Sequence, residues 1–134
     1  MTTNHDMAHL RAAPITGRGE LLLTDESAEW SLHIPPDDPV FAGHYPAAPI
    51  FPGVYTLDLI FQCAEHFFRA RGNRVSLTAV KSIRYTRAIS PGDCIRIKLD
   101  LDTTRGGQEV LARAVVFLGE AKAVSARLLL RVNS

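Results

Sequence analysis

Long uninterrupted apolar runs are missing from this 134-residue chain. No stretch approaches the roughly 20 residues that a helix needs to span a bilayer. The start, MTTNHDMAHLRAAP, lacks the apolar core of a secretory signal, so neither membrane insertion nor export is expected. A dominant sign of charge is also missing. Lys and Arg number 15 against 14 Asp and Glu, a formal net charge of +1, so bulk electrostatics does not point to nucleic acid. Cysteine is scarce: Cys63 and Cys94 fall in stretches expected to be buried and read as free thiols of a reducing cytoplasm. His5 and His9 are four apart but have no further ligand close in sequence, so no metal site is expected. Internal repeats and low-complexity segments are absent.

What is there is an ordinary soluble balance, 46% hydrophobic and 22% charged, in a chain long enough for one compact core. Residues 1–14 are polar and aperiodic and are expected to form a flexible N-terminal tail, with residues 15–134 as a single domain. GELLLTD and AEWSLHI read as two short strands separated by DES. In the second, Trp30, Leu32 and Ile34 alternate with Ser31 and His33, the pattern of a half-buried strand. Pro35, Pro36 and Pro39 end it, and Asp37 and Asp38 read as turn residues.

The stretch from Phe41 to Arg69, FAGHYPAAPIFPGVYTLDLIFQCAEHFFR, is the centre of the chain. Pro46, Pro49 and Pro52 stiffen its first part, and after Gly53 neither proline nor glycine recurs before Gly72. A rigid extended loop therefore leads into a helix beginning near Gly53. Leu57, Ile60, Phe61, Ala64, Phe67 and Phe68 follow the spacing of a core-facing helix. Val54, Leu59 and Cys63 make most of the remaining circumference apolar, so the helix is expected to be buried nearly all round. Gly72 and Asn73 mark its end, with Arg69 and Arg71 near the negative pole of its dipole.

Three groups in this stretch can carry chemistry. Asp58 and Gln62 are four apart and share a helix face. A carboxylate on such a helix is either a hydrogen-bonded structural group or half of an acid/base site. His44, between Gly43 and Pro46, is either a loop histidine bonded to backbone or a general base with a near-neutral pKa. The amides of Gly53 and Val54 point out of a helix N-terminus and can hold a developing oxyanion.

After the helix, Val75–Ile89 and Cys94–Leu101 read as strands joined by SPGD. In the latter, Ile95, Ile97, Leu99 and Leu101 oppose Arg96, Lys98 and Asp100. TTRGGQ is the next turn. VLARAVVFLGE and AVSARLLLRV then form a hairpin turning near Gly119 and Glu120. Two strands, a helix and further antiparallel strands make an α+β domain.

GHYPAAPIFPGVYTLDLIFQ resembles the signature of the beta-hydroxyacyl-acyl carrier protein dehydratases, roughly GHFPxxPxxPGVLxxExxxQ. The closely matching part is about 25 residues long, and KSIRYTRAISPGD continues the likeness more loosely. The resemblance implies a hotdog fold, one long helix wrapped by an antiparallel sheet. It implies His44 and Asp58 as the catalytic pair, the Gly53 amide as the donor to the substrate carbonyl, and Gln62 as the support of the acid. The implied reaction is dehydration of a 3-hydroxyacyl thioester to a trans-2-enoyl thioester, in fatty-acid or polyketide and polyene biosynthesis. No cofactor is implied beyond the phosphopantetheine arm that the substrate brings. Three features depart from the pattern. Asp58 stands where the long-chain branch carries Glu and the dehydratase-isomerase branch Asp. Tyr45 replaces the usual Phe. A segment like LPHRYPFLLVD does not precede the motif, which favours a dedicated biosynthetic pathway.

The competing readings are a thioesterase of the same fold, with Asp58 directing water at the carbonyl, and one subunit of a heterodimeric dehydratase. The expected partners are an acyl carrier protein and a second subunit, in a homodimer, a larger even oligomer or a heterodimer with a related chain, with His44 and Asp58 of one site on different subunits. Carriers are acidic, so Arg69, Arg71, Arg74, Lys81, Arg84 and Arg87 are the candidate docking residues.

Overall fold

The computed structural model describes residues 11–12, 19–34, 53–90, 92–103 and 107–133. Alternating apolar residues make strands β1 (Arg11–Ala12), β2 (Gly19–Leu23) and β3 (Ser27–His33) before helix α1 (Gly53–Arg69). Strands β4 (Arg74–Tyr85), β5 (Cys94–Asp102), β6 (Glu109–Leu118) and β7 (Ala121–Asn133) follow it. Among the described residues they form one antiparallel sheet in the order β1-β2-β3-β5-β6-β7-β4. The helix packs against β3, β4 and β5. This is the hotdog arrangement expected from the resemblance. Arg11 and Ala12, within the stretch expected to be a tail, pair with Glu20 and Gly19.

Period-two patterning decides which face of each strand meets the helix. Leu21, Trp30, Ile97, Leu99, Ala112, Val116, Leu128 and Leu130 point inward and are fully buried with Ile60, Cys63, Ala64 and Phe67 of α1. The hairpin between β6 and β7 turns at Gly119, whose φ of 60° admits glycine at no steric cost. Helix α1 ends as Gly72 and Asn73 suggested. Asn73 N donates to the Phe68 carbonyl (2.9 Å) and Gly72 N to that of Arg69 (2.9 Å), with Gly72 at φ 78°. These are the two bonds of a Schellman stop.

Trp30 sits at the centre of the core, and its Nε1 has no hydrogen-bond partner among the described residues. It lies against Gly19, where an added Cβ would come 2.8 Å from Trp30 Nε1 and 3.0 Å from Leu32 Cβ, and would press into the carbonyl oxygen of Ser31. Gly19→Ala is therefore expected to destabilise the domain by about 1–3 kcal/mol, since backbone cannot yield as a flexible side chain can. Thermal or denaturant unfolding checks this, and an unchanged midpoint would show that β2 is free to shift.

The SPGD turn positions the entry to the proline loop. Asp93 Oδ2 accepts from Ser90 N (2.7 Å), and Gly92 adopts a φ of 88°. Gly92 N then donates to the Ile34 carbonyl (2.8 Å), and Ile34 N to that of Asp93 (2.8 Å). The turn between β4 and β5 thus fixes the backbone at the end of β3, the point where the chain leaves for residues 35–52.

Candidate active site

Helix α1 is not buried all round. Asp58 and Arg69 are exposed and Gln62 and Glu65 half-buried, whereas Leu59, Ile60, Cys63, Ala64, Phe67 and Phe68 are buried. Positions 58, 62, 65 and 69 recur at helical spacing, so they form one polar stripe opposite the core face. The expectation of a helix buried nearly all round counted apolar residues and gave the continuation of the Asp58–Gln62 face to Glu65 and Arg69 no weight. A sheet covers only the side of a helix that it curls against, so the stripe is left open in a single chain.

Two of the motif side chains meet on that stripe. Gln62 Nε2 donates to Asp58 Oδ2 at 2.8 Å. The bond holds the carboxylate on the outer side of the helix. Gly53 is the first residue of α1, where backbone amides have no intrahelical acceptor. Asp58 is five residues further on, about 7–8 Å along the axis at 1.5 Å per residue. The first turn carries no acidic residue, so no carboxylate of its own helix neutralises that N-terminus. His44 lies outside the described residues.

The six candidate docking residues divide. Arg71 is engaged internally: its Nη2 donates to the carbonyls of Thr24 (2.8 Å) and Asp25 (3.1 Å) and its Nη1 to that of Phe67 (3.4 Å). Its guanidinium also lies 3.8 Å from the Phe67 ring centroid. It ties the end of α1 to the β2–β3 turn, which Thr24 closes through its hydroxyl and Ser27. Arg69 and Arg74 line an open cavity of about 480 Å³ with Glu65, Gly72, Asn73 and Val75. Lys81, Arg84 and Arg87 are exposed on or just beyond β4.

Two more groups need correction or note. Both cysteines are free, but Cys94 is exposed, contrary to the expected burial, because it shares the outward parity of Arg96 and Lys98. Burial pushes the Cys63 thiol up to about 12. Half-buried His66 packs edge-on to Trp30 with ring centroids 5.4 Å apart, and burial, then the charge of Arg69, lowers its pKa from the usual 6.5. A group whose folded pKa is depressed contributes stability above its unfolded value that is lost as pH falls through the folded one. Stability is therefore expected to decline as pH falls below about 6.5, and His66→Gln to flatten that part of the curve. Unfolding midpoints of both proteins across this range test it, and parallel curves would exclude His66 as the source.

A family model described as ApeI-like, ApeI dehydratase, matches residues 21–116. This chain belongs to the ApeI-like dehydratase family. The match runs from β2 through α1 into β6, so it includes both the proline-loop motif and the Asp58–Gln62 pair. Among curated proteins, the ApeI-like chain is 29% identical over 94 residues to the 3-hydroxyacyl-[acyl-carrier-protein] dehydratase FabZ of Rickettsia massiliae. That alignment takes in 66% of this chain and 65% of the relative, so the chain spans just under two thirds of the relative's length.

Among solved structures, the dehydratase heterocomplex ApeI:P of Xenorhabdus doucetiae superposes with a TM-score of 0.64 at 19% identity, over 94% of this chain and 96% of that one. A hypothetical thioesterase of Streptococcus pneumoniae, solved with coenzyme A, gives 0.70 at 16% identity over 85% and 87%. Likeness at this identity establishes the hotdog fold of the ApeI-like chain and leaves the chemistry to its residues. No helix among its described residues is long and apolar enough to cross a membrane.

Proposed function

We propose that this chain removes water from a 3-hydroxyacyl thioester, delivered on an acyl carrier protein, to give the trans-2-enoyl thioester. The observation that carries the reading is the 2.8 Å bond from Gln62 to Asp58 on the open stripe of α1. A carboxylate held this way, five residues from a helix N-terminus, has the placement that an acid/base group beside an oxyanion donor requires. His44 takes the proton from C2, whose acidity comes from the thioester carbonyl. The Gly53 amide holds the charge that develops on the carbonyl oxygen. Asp58 protonates the leaving C3 hydroxyl, and Gln62 keeps its carboxyl oriented. The C2–H and C3–O bonds break, the C2=C3 bond forms and water leaves, so the step needs no redox or metal cofactor. A hotdog thioesterase would need Asp58 to direct water but has no use for a base on a proline-stiffened loop, so dehydration is preferred.

Assembly follows from the edge of the sheet. Strand β4 is an outer strand of 12 residues, with register shifts at Leu77/Ala79 and Val80/Ser82. It exposes Leu77 (38%) and Val80 (40%), and Leu57 and Phe61 of α1 are only partly buried. An exposed edge of that length invites another strand. A second hotdog chain pairing there, identical or related, covers this rim and brings its His44 loop to Asp58. Between Glu65 and Asp93 the chain has no carboxylate, so a related subunit with an acidic edge fits the cationic strand better than a copy of itself. Arg69, Arg74, Lys81, Arg84 and Arg87 supply positive charge for an acidic carrier. Free thiols and the carrier-borne substrate suit the cytoplasm.

The test is turnover of carrier-bound 3-hydroxyacyl chains of graded length by the purified chain, alone and with candidate partner subunits, followed by mass spectrometry. A loss of 18 mass units without release of the acyl group supports dehydration, whereas free acid would mean a thioesterase.

A further inference from the structure

The outer face of the sheet, away from α1, carries charges that strands distant in sequence bring together. Arg113 on β6 stands directly opposite Arg127 on β7. Like charges placed opposite each other across two strands are destabilising. Arg127 is opposite Ser82 on its other side, and Arg84, two residues along β4, completes a diagonal. Lys98 on β5 lies diagonal to Arg113, whose direct partner is Asp100. All four cations are exposed, and none is ion-paired among the described residues. The neighbouring carboxylates mark the border of the strip: Asp100 flanks it, and Glu29, opposite Lys98, is engaged by Arg96 at 3.7 Å. Arg96 in turn lies over the Phe117 ring at 4.4 Å.

From this strip, Arg84–Arg127–Arg113–Lys98, we infer a docking surface for an acidic helix of the carrier protein. The inference rests on the carrier reading and extends the contact from Arg84 across four strands. Adjacent strands are about 4.8 Å apart, so each cation lies about one such step further across the sheet, with Arg84 and Lys98 offset by two residues along their strands from the Arg113–Arg127 pair. Carboxylates on one face of a helix recur about every turn, or about 5.4 Å. A helix laid across the strands can therefore set an acidic side chain near each cation in turn. Two copies of this face cannot bind each other, since that would oppose cation with cation. The strip ends at β4, which packs against the active-site helix, so a carrier bound there lies at the edge next to the proposed site. The Arg113–Arg127 couple has a carboxylate, Asp100, opposite only one of its members, so an anionic partner makes it more favourable.

The experiment is the double variant Arg113→Glu/Arg127→Glu, assayed with a 3-hydroxyacyl chain on a purified bacterial acyl carrier protein and with the same acyl group on pantetheine alone. KM for the carrier-bound substrate should rise about tenfold or more, kcat and the pantetheine kinetics should hold, and the difference should shrink with salt. Asp100→Asn should lower that KM. Arg127→Glu alone faces Arg113 with an anion and has Ser82 on its other side, so it should bind carrier less tightly while melting no lower than the wild type, the opposite of what a structural role would give. An unchanged KM, or equal changes on both substrates, overturns the inference. So does a strip whose reversal abolishes binding to phosphatidylglycerol vesicles or a DNA duplex but not to the carrier. If the wild type turns over neither thioester, the dehydratase reading has failed. The docking surface is then judged by fluorescence anisotropy of labelled carrier, where binding weakened about tenfold supports it and unaltered binding overturns it.

Discussion

His44→Ala and Asp58→Ala are each expected to lower dehydration by roughly a hundredfold or more while leaving the fold intact. The size follows from the chemistry, because a positioned base and a positioned acid each act in the transition state and neither substitutes for the other. For Asp58→Ala the intact fold follows from the structure. Asp58 is exposed on the polar stripe, and its recorded bond is to Gln62, another surface-facing side chain. Its removal therefore opens no core cavity and strands no buried charge. Gln62→Ala should cost less than either, since it orients the acid without meeting substrate. Asp58→Glu keeps the charge but lengthens the side chain, so its loss should be intermediate. Rates on a pantetheine thioester with circular dichroism as the fold control decide the matter, and near-wild-type turnover by folded His44→Ala would sink the mechanism.

The second large effect is expected at the sheet edge. Leu77→Asp/Val80→Asp should yield a monomer in sedimentation and lose roughly a hundredfold in turnover, because each site is proposed to take His44 and Asp58 from different chains. Both residues are partly exposed on the outermost strand, so a carboxylate there costs a single chain little and an edge-to-edge pair a great deal. Mixing His44→Ala and Asp58→Ala subunits tests the sharing directly. Random dimers regain one intact site in half of the molecules, so about a quarter of wild-type activity should return. If the active unit is a heterodimer, the same recovery should appear only when the related subunit supplies the second half. A monomeric double variant with full activity would show that one chain holds the whole site.

Much of this was legible in the residues. Alternation placed β2, β3, β5, β6 and β7 within a residue or two, because one face of each strand must be apolar to meet the helix. Gly72 and Gly119 announced a helix stop and a hairpin, since only glycine enters those backbone regions without strain. The i, i+4 spacing alone put Gln62 within reach of Asp58. Cys94 was misjudged although its parity with Arg96 and Lys98 marked it as outward. The same holds for the stripe 58, 62, 65 and 69, which lay behind the more conspicuous apolar pattern.

Other features depended on strand order, which periodicity does not contain. Alternation says which way a side chain points and not which strand lies beside it. Strand β4 leaves α1 and crosses to the far side of β7, so Arg84 comes diagonal to Arg127, which faces Arg113, although 29 residues separate Arg84 from Arg113 and 14 separate Arg113 from Arg127. The same crossing leaves β4 as the open edge. Arg71 belongs to this class too. In sequence it is one of six cations near a helix end, and only the return of the β2–β3 turn to that end brings the carbonyls of Thr24 and Asp25 within 2.8 and 3.1 Å. The sequence by itself determined the spacing of the proposed site, because His44, Gly53, Asp58 and Gln62 lie close together along the chain. The tertiary structure decided which charges are free to meet a partner, because that depends on neighbours far along the chain.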